Sequence, residues 1–191
     1  MIRKLIRTIL LLTGLSLPAA MNAQTQVTAK GNPVTLSGTL PTKGTTAPPF
    51  TGVDGQMQDI TLGSLKGKRI VLNIFPSLDT PTCALSVRRF NELAASLPNT
   101  IVVAISMDLP FAQQRFCSIE GIDNVLPLSV FRNPEFGQQY GVLQTDGKSR
   151  GLLARAVVII DEQGKVIYTQ LVKEISQEPD YAEAIRALEL D

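Results

Sequence analysis

The chain has 191 residues, 44% hydrophobic and 18% charged, enough to enclose one sizeable core, so one domain is expected. Its 18 basic and 17 acidic residues give no electrostatic footprint for nucleic acid. The lack of histidine excludes Ser-His-Asp and Cys-His hydrolases and His-ligated zinc or haem, and two cysteines are too few for a four-thiolate metal site.

Met1 to Ala23 reads as a secretory signal. Arg3, Lys4 and Arg7 form its positive start, Ile9 to Leu17 its apolar region and Pro18 to Ala23 its small-residue end. The apolar part is too short to span a bilayer, and no acidic residue occurs before Asp54. Export, to the periplasm, is the expected localisation, with the cytoplasm as the alternative. Without those three basic residues, 15 basic stand against 17 acidic, a net charge of −2. No membrane association is expected once the signal is removed.

Gln24 to Lys30 is polar and expected to be loose, with the folded domain running from 31 to 191. Val34 to Leu40 alternates apolar and polar with a break at Gly38, predicting a small N-terminal hairpin. Pro41 to Phe50 reads as a loop, Val53 to Gln56 as a turn, and Leu62 to Lys68 as one helical turn. Ile70 to Phe75 is a nearly continuous apolar run rich in β-branched residues, which suits a central strand covered on both faces. Pro76 ends it.

Thr80 and Pro81 then mark a helix start, as N-cap and first helical residue. Leu85, Val87, Phe90, Leu93, Ala94 and Leu97 recur at helical spacing, so the helix is expected to run to about Leu97. Ile101 to Ile105 predicts a second buried strand, and strand, helix, strand in this order implies a parallel crossover. Asp108-Leu109-Pro110 opens a short helix over Phe111 to Cys117. Val125 to Val130 is ambiguous between strand and loop, and Pro134 to Tyr140 predicts a short helix closed by Gly141. Arg155 to Ile160, the turn Asp161 to Gly164 and Lys165 to Tyr168 form an antiparallel hairpin. Pro179 opens a terminal helix with Tyr181, Ile185 and Leu188 on one face.

Cys83 becomes the third helical residue, among amides that lack intrahelical partners and at the positive end of the helix dipole, where a thiolate is favoured over the thiol. Thr80, three residues earlier, can bring its hydroxyl towards the sulfur around one turn. A cysteine after an apolar strand is equally the ordinary place of a small buried hydrophobe.

The order of elements is that of an α/β, thioredoxin-like fold, with a central mixed sheet flanked by helices and an N-terminal β-hairpin. The C-x-x-C pair of a thioredoxin is missing. Three separated stretches, Ser77 to Cys83, Asp108 to Cys117 and Gly151 to Asp161, resemble the thiol peroxidase subfamily of the peroxiredoxins, the atypical two-cysteine type. The resemblance extends from about Gly31 to Leu190. It implies a peroxidatic Cys83 with Thr80 as hydroxyl partner, Pro76 shielding the thiolate, Arg155 orienting thiolate and peroxide, and Cys117 resolving through an intramolecular Cys83–Cys117 disulfide. It further implies a small peroxide substrate, a thioredoxin-like protein reductant, a homodimer and no cofactor or metal.

The chemistry needs a low-pKa sulfur and a fixed cation, so neither metal nor histidine is required. On residues alone Arg155 reads as a strand-end arginine, solvated or paired. Cys83 and Cys117, 34 positions apart, could also form a structural staple contributing about 3–4 kcal/mol, although the helix-start position of Cys83 favours a cycling bond over a static one. A non-catalytic thioredoxin-fold module or a redox sensor are therefore the alternatives to a peroxidase.

Overall fold

The structure, a computed structural model, describes residues 25–189; the expected signal lies outside them. Gln26–Ala29 (β1) and Asn32–Ser37 (β2) pair antiparallel across Lys30-Gly31, whose φ angles of 52° and 78° match the strand twist. The segment expected to be loose therefore carries a strand. Its single aliphatic branched residue, Val27, is buried among Val34 and Leu36, and that anchor outweighs the polar composition around it. The hairpin accordingly precedes the predicted position, and Gly38 follows β2 instead of bending it.

Thr51–Val53 (β3) and Asp59–Thr61 (β4) form a second hairpin, followed by the expected single turn, a 3₁₀ helix over Leu62–Leu65. The body then runs through Arg69–Ile74 (β5), Pro81–Ala94 (α1), Thr100–Ser106 (β6), Pro110–Glu120 (α2) and Val125–Ser129 (β7). Glu135–Gln139 (α3), Leu143–Gln144 (β8), Ala156–Ile160 (β9), Val166–Leu171 (β10) and Tyr181–Glu189 (α4) complete it. Helix α1 stops short of Leu97 because the Ser96 and Leu97 amides turn to carbonyls three residues back. At α4 the Asp180 carboxylate caps the helix by accepting from the Glu183 amide, so Pro179 lies just outside it.

The main sheet has the order β10-β9-β5-β6-β7-β3-β4, with β5, β6 and β7 parallel and the remaining pairs antiparallel. The ambiguous 125–130 stretch is thus a strand. Pro127 is tolerated because β7 meets β3 only at Val53↔Ser129, leaving that side nearly an edge. A smaller sheet, β1-β2-β8, packs alongside.

Alternation along β5 divides the core. Ile70, Leu72 and Ile74 face the side lined by Val34, Phe50, Phe136 and Tyr140, while Val71 and Phe75 face Val87 and Phe90 of α1 and Ala184 of α4. Full burial of each such aliphatic side chain contributes roughly 1.5–3 kcal/mol. A buried β5 with helix α1 springing from its end is the arrangement that positions the site.

The short helix α3 closes at Gly141, where φ is 65° and an added Cβ would fall 2.1 Å from the Thr39 carbonyl carbon. Gly141→Ala is expected to destabilise the fold by about 2–4 kcal/mol, read from urea unfolding, because both strain and overlap arise at once.

Candidate active site

β5 ends where Phe75 donates its N–H to the Ile105 carbonyl at 3.1 Å and the buried Pro76, without an N–H, breaks the ladder. The loop that follows is fastened by one carboxylate. Asp108 accepts from Ser77 Oγ and the Leu78 amide, both at 2.7 Å, and from Ser106 Oγ at 2.8 Å. The loop carrying Thr80 is thereby tied to the segment that opens α2.

Thr80 occupies the N-cap position in extended conformation, with Pro81 as the first helical residue. Its hydroxyl makes no capping bond and no hydrogen bond to Cys83; it donates to the Ser77 carbonyl at 3.1 Å, which also receives the Thr80 amide. The tight Ser77–Thr80 turn brings that carbonyl closer than the expected partners. The exposed hydroxyl keeps its acceptor lone pairs. The first intrahelical bond runs from Ala84 to the Thr80 carbonyl, so the Thr82 and Cys83 amides stand in the unpaired first turn.

Cys83 is fully buried, at 0% exposure, against Val71, Phe75, Leu78 and Val87. Arg155, 1% exposed, donates from Nη2 to Cys83 Sγ at 3.3 Å and from Nε to the Ile175 carbonyl at 3.0 Å, while Nη1 has no partner. The sheet explains this meeting. Antiparallel β5 and β9 pair Ile74 with Ala156, so one step further places Arg155 opposite Phe75, immediately before the turn that delivers Cys83. No carboxylate pairs with Arg155 among the described residues.

Asn73 and Ser86 brace the helix from beneath. Ser86 Oγ donates to the Cys83 carbonyl at 2.9 Å and receives Asn73 Nδ2 at 3.4 Å. The signal for this pair was a lone polar residue in the apolar run of β5. Ser77 and Asp108 give a subtler sign, each following the C-terminal end of one of the two adjacent parallel strands.

Cys117 stands on α2, half-buried, and both cysteines are free thiols. It packs against the same cluster that encloses Cys83. Burial, assisted by the nearby Asp123 charge, pushes its thiol up to about 11. Helix α2 is lightly held, with only Pro110 and Gln113 fully buried and Phe111 and Ile119 exposed at 62% and 75%. Arg88 of α1 reaches Glu120 of α2 at 2.7 Å, a surface pair worth little. No group of three or more acidic or cysteine side chains suited to a metal ion occurs among the described residues.

The Redoxin family profile matches residues 42–185. The chain belongs to the Redoxin family. It is 52% identical to a thiol peroxidase of Corynebacterium glutamicum over 159 residues, covering 83% of this chain and 96% of that protein. A thiol peroxidase of Mycobacterium bovis is likewise 52% identical over 163 residues, covering 85% and 98%. Among solved structures, a peroxiredoxin-like protein from Aquifex aeolicus superposes with a TM-score of 0.82 at 44% identity, over 86% of this chain and 96% of that one. The fold is the thioredoxin-like fold of peroxiredoxins. Redoxin membership at this level of identity makes the chain an enzyme whose activity class is thiol-dependent peroxide reduction.

In this redoxin the Cys117 thiol titrates higher folded than the ordinary value of 9.0. Such a group adds its stability in full below about pH 9 and loses it as the pH climbs towards 11. Thermal melts across that window are expected to decline more steeply for the native chain than for Cys117→Ala; parallel declines would contradict the burial of this thiol.

Proposed function

We propose that the chain reduces hydrogen peroxide and small organic hydroperoxides through Cys83, with Cys117 as the resolving thiol and a thioredoxin-like dithiol protein as reductant. The observation that carries this reading is the buried guanidinium of Arg155 donating to Cys83 Sγ at 3.3 Å. A buried charge is costly unless compensated, and a thiolate at Cys83 supplies the compensation.

In the first step the thiolate attacks one peroxide oxygen. An S–O bond forms, the O–O bond breaks, and the leaving oxygen takes a proton to depart as water or an alcohol. Sulfur is oxidised to the sulfenic acid and the peroxide is reduced. Negative charge grows on the leaving oxygen, and the free Nη1 of Arg155 is the donor at hand to meet it. The amides of the α1 first turn and the Thr80 hydroxyl complete the polar surroundings, and Pro76 keeps bulk water from the sulfur. Cys83 is 0% exposed, so a peroxide of any size reaches the sulfur only when its enclosing side chains give way.

In the second step Cys117, as thiolate, attacks the sulfenic sulfur: the S–S bond forms as the S–O bond breaks, and the departing hydroxide takes up the proton that Cys117 gave up and leaves as water. An external dithiol then reduces that disulfide by exchange. A thiol pushed up to about 11 is a poor nucleophile near neutrality, so Cys117 acts after α2 has locally unwound and released it from its apolar contacts. The light anchoring of α2 favours such opening. A static staple would give Arg155 no role beside Cys83.

Cys83→Ser is expected to abolish peroxide consumption, a loss of about 10³-fold or more. Cys117→Ser should still consume one peroxide per chain, gaining one oxygen at Cys83 by intact mass, yet fail to turn over with a dithiol protein. Retained turnover in Cys83→Ser would assign the chemistry elsewhere.

A further inference from the structure

The segment from Lys173 to Ser176 joins parts of the molecule that the reaction otherwise leaves separate. Its centre is Glu174. Oε1 of this carboxylate accepts from the Lys30 amide at 2.8 Å, the Ser176 amide at 3.0 Å and Ser176 Oγ at 2.5 Å. Oε2 accepts from Thr28 Oγ1 at 2.8 Å and the Gly31 amide at 3.0 Å. Backbone bonds run alongside, from Thr28 N–H to the Lys173 carbonyl and from Ile175 N–H to the Thr28 carbonyl.

The same segment touches the reacting groups. The Ile175 carbonyl accepts from Arg155 Nε at 3.0 Å, and the Ser176 carbonyl accepts from Oγ1 of Thr82, the residue before Cys83, at 3.1 Å. The Ile175 C=O and the Ser176 N–H belong to one planar peptide unit. A carboxylate holding the N–H end of that plane therefore sets the direction of the carbonyl at its other end. The guanidinium is a rigid fork, and its orientation is fixed by two acceptors, the Ile175 carbonyl and Cys83 Sγ.

We propose that Glu174 is a positioning residue for peroxide reduction: by holding the Ile175–Ser176 peptide plane it aims the Ile175 carbonyl, and through it the Arg155 guanidinium, at Cys83. The inference rests on the reading that Arg155 and Cys83 reduce peroxide. It adds that the N-terminal hairpin, through the Lys30 and Gly31 amides and the Thr28 hydroxyl, is part of the scaffold that orients the guanidinium. The Ser176 hydroxyl, with the Gly31 and Ser176 amides, holds the Glu174 carboxyl well below the usual carboxylate range, so the acceptor stays charged at working pH. An amide in its place presents an NH₂ group to donors that need an acceptor.

The test is a double-mutant cycle on the single-turnover rate of Cys83 oxidation by hydrogen peroxide. Glu174→Gln is expected to slow oxidation about tenfold, and Glu174→Asp, which keeps the charge, to recover part of the loss. The later disulfide-forming step should change by less than about twofold, a readout that general destabilisation would move. Lysine lacks the fork, so in an Arg155→Lys background Glu174→Gln should add less than about twofold. An unchanged rate in Glu174→Gln, or a full tenfold effect persisting beside Arg155→Lys, overturns the inference. If Arg155→Lys itself leaves oxidation at the native rate, the underlying reading fails, and the inference with it.

Discussion

The molecule is organised around a cation and a sulfur that meet out of reach of water. A guanidinium at 1% exposure, facing a carbonyl and Cys83 Sγ, is an expensive thing to build into a core. The sheet register places Arg155 opposite the end of β5, and the proline-broken turn lifts Cys83 into the first turn of α1. Asn73 and Ser86 hold that turn from below. Each of these elements helps to hold the guanidinium and the sulfur in contact.

The two cysteines divide the proposed cycle between rigid and yielding parts of the fold. Cys83 is enclosed by side chains from the sheet and α1, where any displacement would cost contacts on every side. Cys117 rides on a helix with two fully buried residues and a left-handed cap at Gly121, φ 65°. Asp108 connects them, accepting from the Ser77 loop while standing just ahead of α2. In the proposed cycle, local opening of α2 would release Cys117 while β5 and the Cys83 turn stay in place.

Much of this is legible in the sequence. The apolar run Ile70 to Phe75, the Pro76 break and the Thr80-Pro81 helix start specify the strand-to-helix turn by local chemistry alone, and the 155–168 hairpin announces itself by its turn residues. Other features depend on long-range pairing. Arg155 at the head of an apolar strand is an ordinary surface arginine until β9 is laid beside β5. Thr80 reads as a side-chain cap because propensity does not register the competing Ser77 carbonyl. The stretch before Gly31 looks loose because its fully buried side chain is a single valine and its other ties, from Thr28 and Lys30 to the 173–176 segment, are long-range, and Glu174 carries no sequence signal at all, since its five donors come from residues 28–31 and 176.

The central claim is that Arg155 acts on the reacting sulfur directly. Its most direct measurement is the second-order rate constant of Cys83 with hydrogen peroxide in the native chain and in Arg155→Met, with folding checked by circular dichroism. The account predicts a loss of about 10²–10³-fold in a folded variant, the scale of removing one oriented donor from a developing oxyanion. A folded Arg155→Met that reacts at the native rate would contradict it.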